Sequence, residues 1–346
     1  MGPIPTTGLD KSKAAALQAV LDSAVSAGAP DVMAAVISDE GVWTGAAGIG
    51  GPDGRRATAA DTFAIASVTK TFTAALILRL VEQGRMNLDA PLATYLGDLD
   101  VDTNKATVRQ ALAMESGLPE TSTAAAQGID ADPGHAWTVE EIIATFAPPK
   151  AAAGSTYIYS NPAFKLLAIA AEHVTGKSFA DALRAEVLDP VGADRILHQG
   201  QGTSAPKPWA LPVPAKMGTY SARDLGKGGA LPTLASATFS VGGSSMASDV
   251  GSLASWGWHL FSGDIIDADS LGWMVPAGEY EHGLGLDRFR SFGDVLAYGH
   301  GGNKPGYASI LVVFPAKRIA AAVFINDQDA APDLVVSRLI EAIDAP

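Results

Sequence analysis

The chain has 346 residues, a formal charge of −13, 47% hydrophobic residues and no cysteine. This composition predicts a soluble globular protein with a sizeable core and room for about two lobes. It leaves no disulfide framework, no Cys-ligated metal centre and no thiol nucleophile. A pI near 4.8 speaks against a nucleic-acid partner, which needs clustered Lys and Arg, and no apolar run approaches the ~20 residues that cross a bilayer.

In chain order, Met1 to Thr7 lacks the basic and apolar regions of a signal peptide. The expectation is a cytoplasmic protein, or an exported one whose signal has been removed, with residues 1–9 as an extension. An amphipathic helix is predicted over Lys11 to Ala27. Val32 to Ile37 and Gly41 to Ala47, joined by Ser38-Asp39-Glu40, predict a hairpin of strands. Ser67 to Gln83 is a helical pattern apolar nearly all round, the mark of a buried helix, closed by Gly84. Helical segments follow at Val108 to Met114, Val139 to Phe146 and Ala163 to Val174, the last ending before Gly176. Gln199 to Lys216 carries Pro206, Pro208, Pro212 and Pro214, which rule out a regular helix. Beyond Phe239 come a helix, Ser248 to Phe261, and strand-like runs at Asp294 to Tyr298, Tyr307 to Phe314 and Ile319 to Ile325. A last helix spans Leu334 to Ile343. Strands thus sit at both ends of the chain with helices between them.

Three short patterns could carry chemistry. Ser67-Val68-Thr69-Lys70 opens the buried helix, where positions i and i+3 share a face, so the hydroxyl and amine come within reach of each other. With 24 serines and 12 lysines in the chain, ~0.8 S-x-x-K matches arise by chance. A second match, Ser204-Ala205-Pro206-Lys207, is broken by proline and reads as the chance one. A lysine in an apolar helix needs a partner, which favours the first.

Tyr159-Ser160-Asn161 precedes Pro162 and a helix, and ~0.1 Y-x-N matches are expected by chance. Beside a Ser/Lys pair the phenol serves as general base or acid if ammonium groups lower its pKa, and Asn161 can bond Lys70 or a substrate amide. On its own the segment also reads as a packed tyrosine and a helix cap. Gly299 to Tyr307, with His300, Gly301, Gly302 and Asn303, lies between two predicted strands. Its glycines let a substrate approach and free backbone N–H groups for an oxyanion, or else form a plain hairpin turn.

There is no G-x-S-x-G, H-E-x-x-H or P-loop, and the six histidines show no metal-ligand spacing. We expect no metal and no cofactor. Glu115 and Asp89 read as loop tethers.

Together the three patterns resemble the serine β-lactamase and penicillin-binding-protein superfamily, in its class C, DD-peptidase and family VIII esterase branch, where Y-x-N replaces S-D-N. The similarity extends through Phe63 to Thr73, Gly84 to Pro91, Ser116 to Pro119, Tyr159 to Pro162, Val174 to Phe179 and Gly299 to Tyr307, over roughly residues 10–344. The resemblance implies an α+β fold of the β-lactamase/transpeptidase kind: a sheet lobe (about 10–62 and 239–346), an antiparallel sheet with flanking helices, beside an all-helical lobe (about 63–238). It implies Ser67 as the acylated nucleophile, Lys70 and Tyr159 sharing base and acid work, and Asn161, His300, Gly301 and Gly302 against the substrate. The backbone N–H groups of Ser67 and Asn303 would form the oxyanion hole.

His300-Gly301-Gly302 stands where K-T-G holds a β-lactam carboxylate in class C enzymes, so the resemblance does not imply efficient β-lactamase activity. The implied function is a serine hydrolase acting on a small ester, amide or peptide, esterase-like or DD-peptidase-like. A weak β-lactamase and a non-hydrolytic penicillin-binding sensor are the alternatives. Oligomeric state and compartment stay open.

Overall fold

Asp10 starts the first helix, α1 (Lys11–Ser26), by accepting the Ser12 and Lys13 N–H groups at 2.8 and 3.0 Å, two donors that a helix start leaves unpaired. The computed structural model describes residues 1–121, 128–200, 204–212, 221, 223–278 and 281–345; Pro214 of the proline-rich stretch lies outside them. After α1 come β1 (Asp31–Ser38) and β2 (Gly41–Gly48), a hairpin with Ser38 opposite Gly41. The middle of the chain holds β3 (Phe63–Ala64), α2 (Thr69–Glu82), α3 (Val108–Leu112), α4 (Val139–Ile143), α5 (Asn161–Thr175) and α6 (Phe179–Leu183), then β4 (Leu197–His198), α7 (Leu234–Phe239) and β5 (Met246–Ser248). Last come α8 (Val250–Ser262), α9 (Ala268–Met274), β6 (Asp287–Phe289), β7 (Ala297–Lys304), β8 (Tyr307–Phe314), β9 (Ile319–Ile325) and α10 (Pro332–Asp344).

Six strands form an antiparallel sheet in the order β2-β1-β9-β8-β7-β6, so the two ends of the chain meet at β1 and β9. The period of two along β1 divides its side chains between two cores. Val32, Ala34 and Val36 pack with Leu17 and Leu21 of α1 and Val336 and Leu339 of α10. Met33, Ala35 and Ile37 join Phe72 of α2 and Trp256 of α8. Cover on both faces is why β1, β8 and β9 read as continuous apolar runs.

Helix α2 is buried from Thr69 to Leu78. Its three threonine hydroxyls are all satisfied: Thr69 donates to Ala66 O at 2.6 Å, Thr71 to Val68 O at 2.9 Å and Thr73 to Gly242 O at 2.6 Å. Gly84, just past its end, has φ +69°, the left-handed conformation that glycine adopts without strain.

Several features differ from expectation. Residues 1–9, read as an extension, dock on the body of the chain: the Met1 amino group donates to Phe261 O at 3.0 Å, Trp258 Nε1 to Gly2 O at 2.6 Å, and Val42 N to Thr7 O at 2.9 Å. Strand β7 begins at Ala297, not Asp294, and runs through the glycines to Lys304, so Gly299 to Gly302 are strand residues and the turn is Pro305-Gly306. A second sheet, β3-β5-β4, lies within the expected helical stretch and its neighbour; strands of two or three residues leave no periodicity to read. Ser204 to Lys207 is not helical, so the second S-x-x-K lacks the required geometry. Among the described residues no helix is long and apolar enough to cross a membrane.

Candidate active site

Ser67 sits on a 3-10 turn, Ala66–Val68, that feeds α2. Ala66 has φ +47°, a strained conformation for a residue with a Cβ and one that clusters at functional sites. Ser309 of β8 steadies the turn by donating to Ile65 O at 2.8 Å.

One helical turn on, Lys70 is completely buried. Its Nζ lies 3.1 Å from Ser67 Oγ, 2.6 Å from Asn161 Oδ1 and 2.9 Å from Gly243 O. Burial drives its pKa down to about 7, against the upward pull of Glu120 and Asp287. As an ammonium it fills all three contacts. As a neutral amine it donates to Asn161 and Gly243, which leaves its lone pair facing the Ser67 hydroxyl.

Tyr159 arrives from the other side, just before α5. That helix is started by Ser160, whose hydroxyl accepts Ala163 N–H at 3.1 Å, with Pro162 in the first turn, a pairing suited to a helix start. The Tyr159 hydroxyl donates to Ser67 Oγ at 2.8 Å, and its ring lies 4.8 Å from Lys70 Nζ. Burial pushes the phenol pKa up, outweighing the Ser67 hydrogen bond. The direction is opposite to the lowering by ammonium groups that the sequence reading made a condition of its role. Desolvation is the largest cause, and the charges of Glu120 and Asp287 push the same way.

The sheet side is β7. Ser67, Tyr159, Asn161, His300, Gly301, Gly302 and Asn303 all line one open cleft of about 570 Å³. A Cβ on Gly302 would stand 2.4 Å from Ile65 O and 3.1 Å from Ala66 Cβ, whereas one on Gly301 would meet nothing within 4 Å. Gly302 therefore lets β7 close onto the serine turn, and Gly301 faces open space. His300 is buried, its Nδ1 2.5 Å from Gly301 O, and burial lowers its pKa, which favours the neutral ring. The Asn303 side chain bonds Gln328 O. Asn161 is engaged at both ends, by Lys70 at Oδ1 and by Glu120, which accepts Asn161 N at 2.6 Å and Nδ2 at 2.9 Å.

Asp89 is a surface tether to Arg109 Nε at 2.7 Å, and Glu115 contributes its backbone carbonyl to Gly154 N–H at 2.8 Å. Among the described residues no group of three His, Cys, Asp or Glu side chains could hold a metal. Four contributors escape sequence reasoning: the Gly243 carbonyl, Glu120, Asp287 and His282. Glu120 directly follows the Ser116 to Pro119 segment, a signal that could have found it. A backbone carbonyl and a carboxylate on a three-residue strand leave none.

The Beta-lactamase family model matches residues 14–344. Among solved structures, a D-stereospecific amidohydrolase from Streptomyces sp. superposes with a TM-score of 0.78 at 25% identity, over 95% of this chain and 98% of that one. A D-amino acid amidase from Ochrobactrum anthropi SV3, in complex with L-phenylalanine, gives 0.80 at 25% identity over 96% and 98%. A D-aminopeptidase from Gluconobacter oxydans is 25% identical over 84% of this chain, which spans 54% of that protein's length. The matched span contains the serine turn, the tyrosine and the β7 edge alike, and the chain belongs to the Beta-lactamase family.

Proposed function

We propose that the chain is a serine hydrolase that forms an acyl-enzyme on Ser67 and cleaves amide and ester bonds of small amino-acyl or peptide substrates. The observation that carries this reading is the placing of Ser67 Oγ between two groups of opposite proton affinity, a lysine amine lowered to about 7 and a phenol raised above its usual range. Such a divergent pair divides base from acid.

Neutral Lys70 takes the hydroxyl proton as Ser67 Oγ attacks the carbonyl carbon. The oxyanion is met by the backbone N–H groups of Ser67 and Asn303. Tyr159 gives its proton to the leaving nitrogen or oxygen as the bond to carbon breaks, and the proton held by Lys70 restores the phenol. In the second half a water attacks the acyl carbon and gives a proton to the base, the bond from that carbon to Ser67 Oγ breaks to release the acid, and the base returns the proton to Ser67. Asn161 holds Lys70, with Glu120 behind it, while His300, Gly301 and Gly302 line the sheet side of the substrate.

The amide preference rests on the amidohydrolase, amidase and aminopeptidase similarities. Weak β-lactamase action is the lesser reading, because no lysine stands at His300. The test is covalent labelling by a fluorophosphonate, followed by intact mass. Label is expected on native protein and on Ser204→Ala, and none on Ser67→Ala. Label that survives Ser67→Ala would overturn the assignment. Benzylpenicillin is expected to leave at most a slowly formed adduct, and rapid turnover would promote the β-lactamase reading.

A further inference from the structure

The cleft beside Ser67 is acidic. Asp287 and Asp333 line it, and no lysine or arginine does so among its described lining residues. A substrate carboxylate therefore finds no fixed cation there. The two carboxylates differ in what surrounds them. Asp333 lies in the first turn of α10, where the helix dipole compensates a negative charge. Glu120 is not among the residues that line the cleft, and it accepts from Asn161 at both oxygens.

Asp287 is held but not saturated. Its Oδ1 accepts His282 Nδ1 at 2.6 Å, and the Tyr157 ring stacks on His282 at 4.0 Å and 11°. Its Oδ2 stands 3.8 Å from His300 Nε2, beyond hydrogen-bond reach. The side chain is one-quarter exposed. Burial opposes its ionisation, but His300, His282 and Lys70 outweigh that and hold its pKa below the ordinary value. Pairing with Gly299 sets Asp287 beside the His300 end of β7, on the cleft that Ser67 opens into.

We infer that Asp287 is a specificity-determining residue that receives the ammonium group of the substrate through Oδ2, so that the enzyme takes substrates with a free amine near the scissile carbonyl and discriminates against N-acylated ones. This rests on the proposed hydrolase reading for the site, but binding can be read without turnover. A carboxylate that lines the cleft, with one oxygen fixed by a stacked imidazole and the other without a hydrogen bond among the described residues, is pre-organised for a cation.

The experiment is calorimetric titration of Ser67→Ala protein with alaninamide of either configuration and with N-acetylalaninamide. It is run at pH 7, where an α-amine of pKa about 7.7–8.0 is mostly protonated. The free amine of one configuration is expected to bind at least about tenfold more tightly than the acetylated amide, as a partly desolvated charge pair should. Asp287→Asn added to Ser67→Ala should abolish that preference, Asp287→Glu should restore part of it, and Asp333→Asn should leave it in place. Thermal melts confirm that each variant is folded. Equal binding of both amides, binding of neither, or a preference that survives Asp287→Asn would overturn the inference. Failure of the hydrolase reading shows separately, as absence of fluorophosphonate label on Ser67 in the native protein.

Discussion

Two lysines in the same core invite comparison. Lys70 and Lys165 are both buried, and burial brings both amines down to about 7. Lys70 reaches Ser67, Asn161 and Gly243 within hydrogen-bond distance. Lys165, one turn into α5, finds no hydrogen-bond partner for Nζ among the described residues and lies 3.4 Å from the centroid of the Phe239 ring. A lowered pKa therefore reports burial, while the partner set and the open cleft report chemistry. A perturbed lysine is a functional candidate only when something it can deprotonate stands next to it.

The comparison breaks first at Lys70. Lys70→Met should lower kcat/KM by about 10²–10⁴-fold, the usual worth of a positioned base, with the protein still folded. In the native enzyme kcat/KM should rise with pH through about 7 as Lys70 loses its proton. A rate indifferent to pH between 5 and 9 would remove Lys70 as the base. Tyr159→Phe removes the acid and should cost roughly 10²-fold on an amide, with less loss on an ester whose leaving group needs no proton. Steady-state kinetics on the two substrates measure that split.

Lys165→Met should leave kcat/KM within about threefold, and it should stabilise the fold. The folded pKa of Lys165, about 7, lies below the ordinary 10.5, so the unfolded chain binds the extra proton between those values. Native stability therefore rises with pH across that window and is lost as pH falls towards 7. The variant has no such dependence at this position and should gain about 2–4 kcal/mol at pH 7, an advantage that shrinks towards pH 10. Denaturant titrations at both pH values test it. A destabilised variant would mean that the contact with Phe239 outweighs desolvation.

The same distinction explains how much was legible in the sequence. Continuous apolar runs gave away β8 and β9, because both faces of those strands are covered, and Gly84 and Gly176 marked helix ends through their left-handed backbone. Ser67, Lys70 and Tyr159 were legible because i, i+3 spacing and a rare Y-x-N pattern are local. The proton affinities were not: whether Tyr159 is raised or lowered depends on desolvation by residues far away in the chain. Asp287 was silent as well, since its role comes from register with Gly299 and a bond to His282, neither visible before folding. Gly299 to Gly302 looked like a turn because glycine marks both turns and close approaches.

Adjacent glycines offer the mildest version of the contrast between Lys70 and Lys165. Gly302→Ala drives a Cβ to 2.4 Å from Ile65 O, so β7 must retreat from the serine turn. Overpacking of that kind costs about 1–3 kcal/mol, and kcat should fall because the Asn303 N–H moves with the strand. Gly301→Ala meets nothing within 4 Å, so its stability should stay within about 0.5 kcal/mol of native. Activity on a small amide should hardly change, while activity on a bulky acyl group should drop, because the new methyl enters the space that the acyl group would use. Thermal melts and a series of acyl chain lengths separate the two variants. If Gly301→Ala were as damaging as Gly302→Ala on the smallest substrate, the open side of β7 would not be the side that receives substrate.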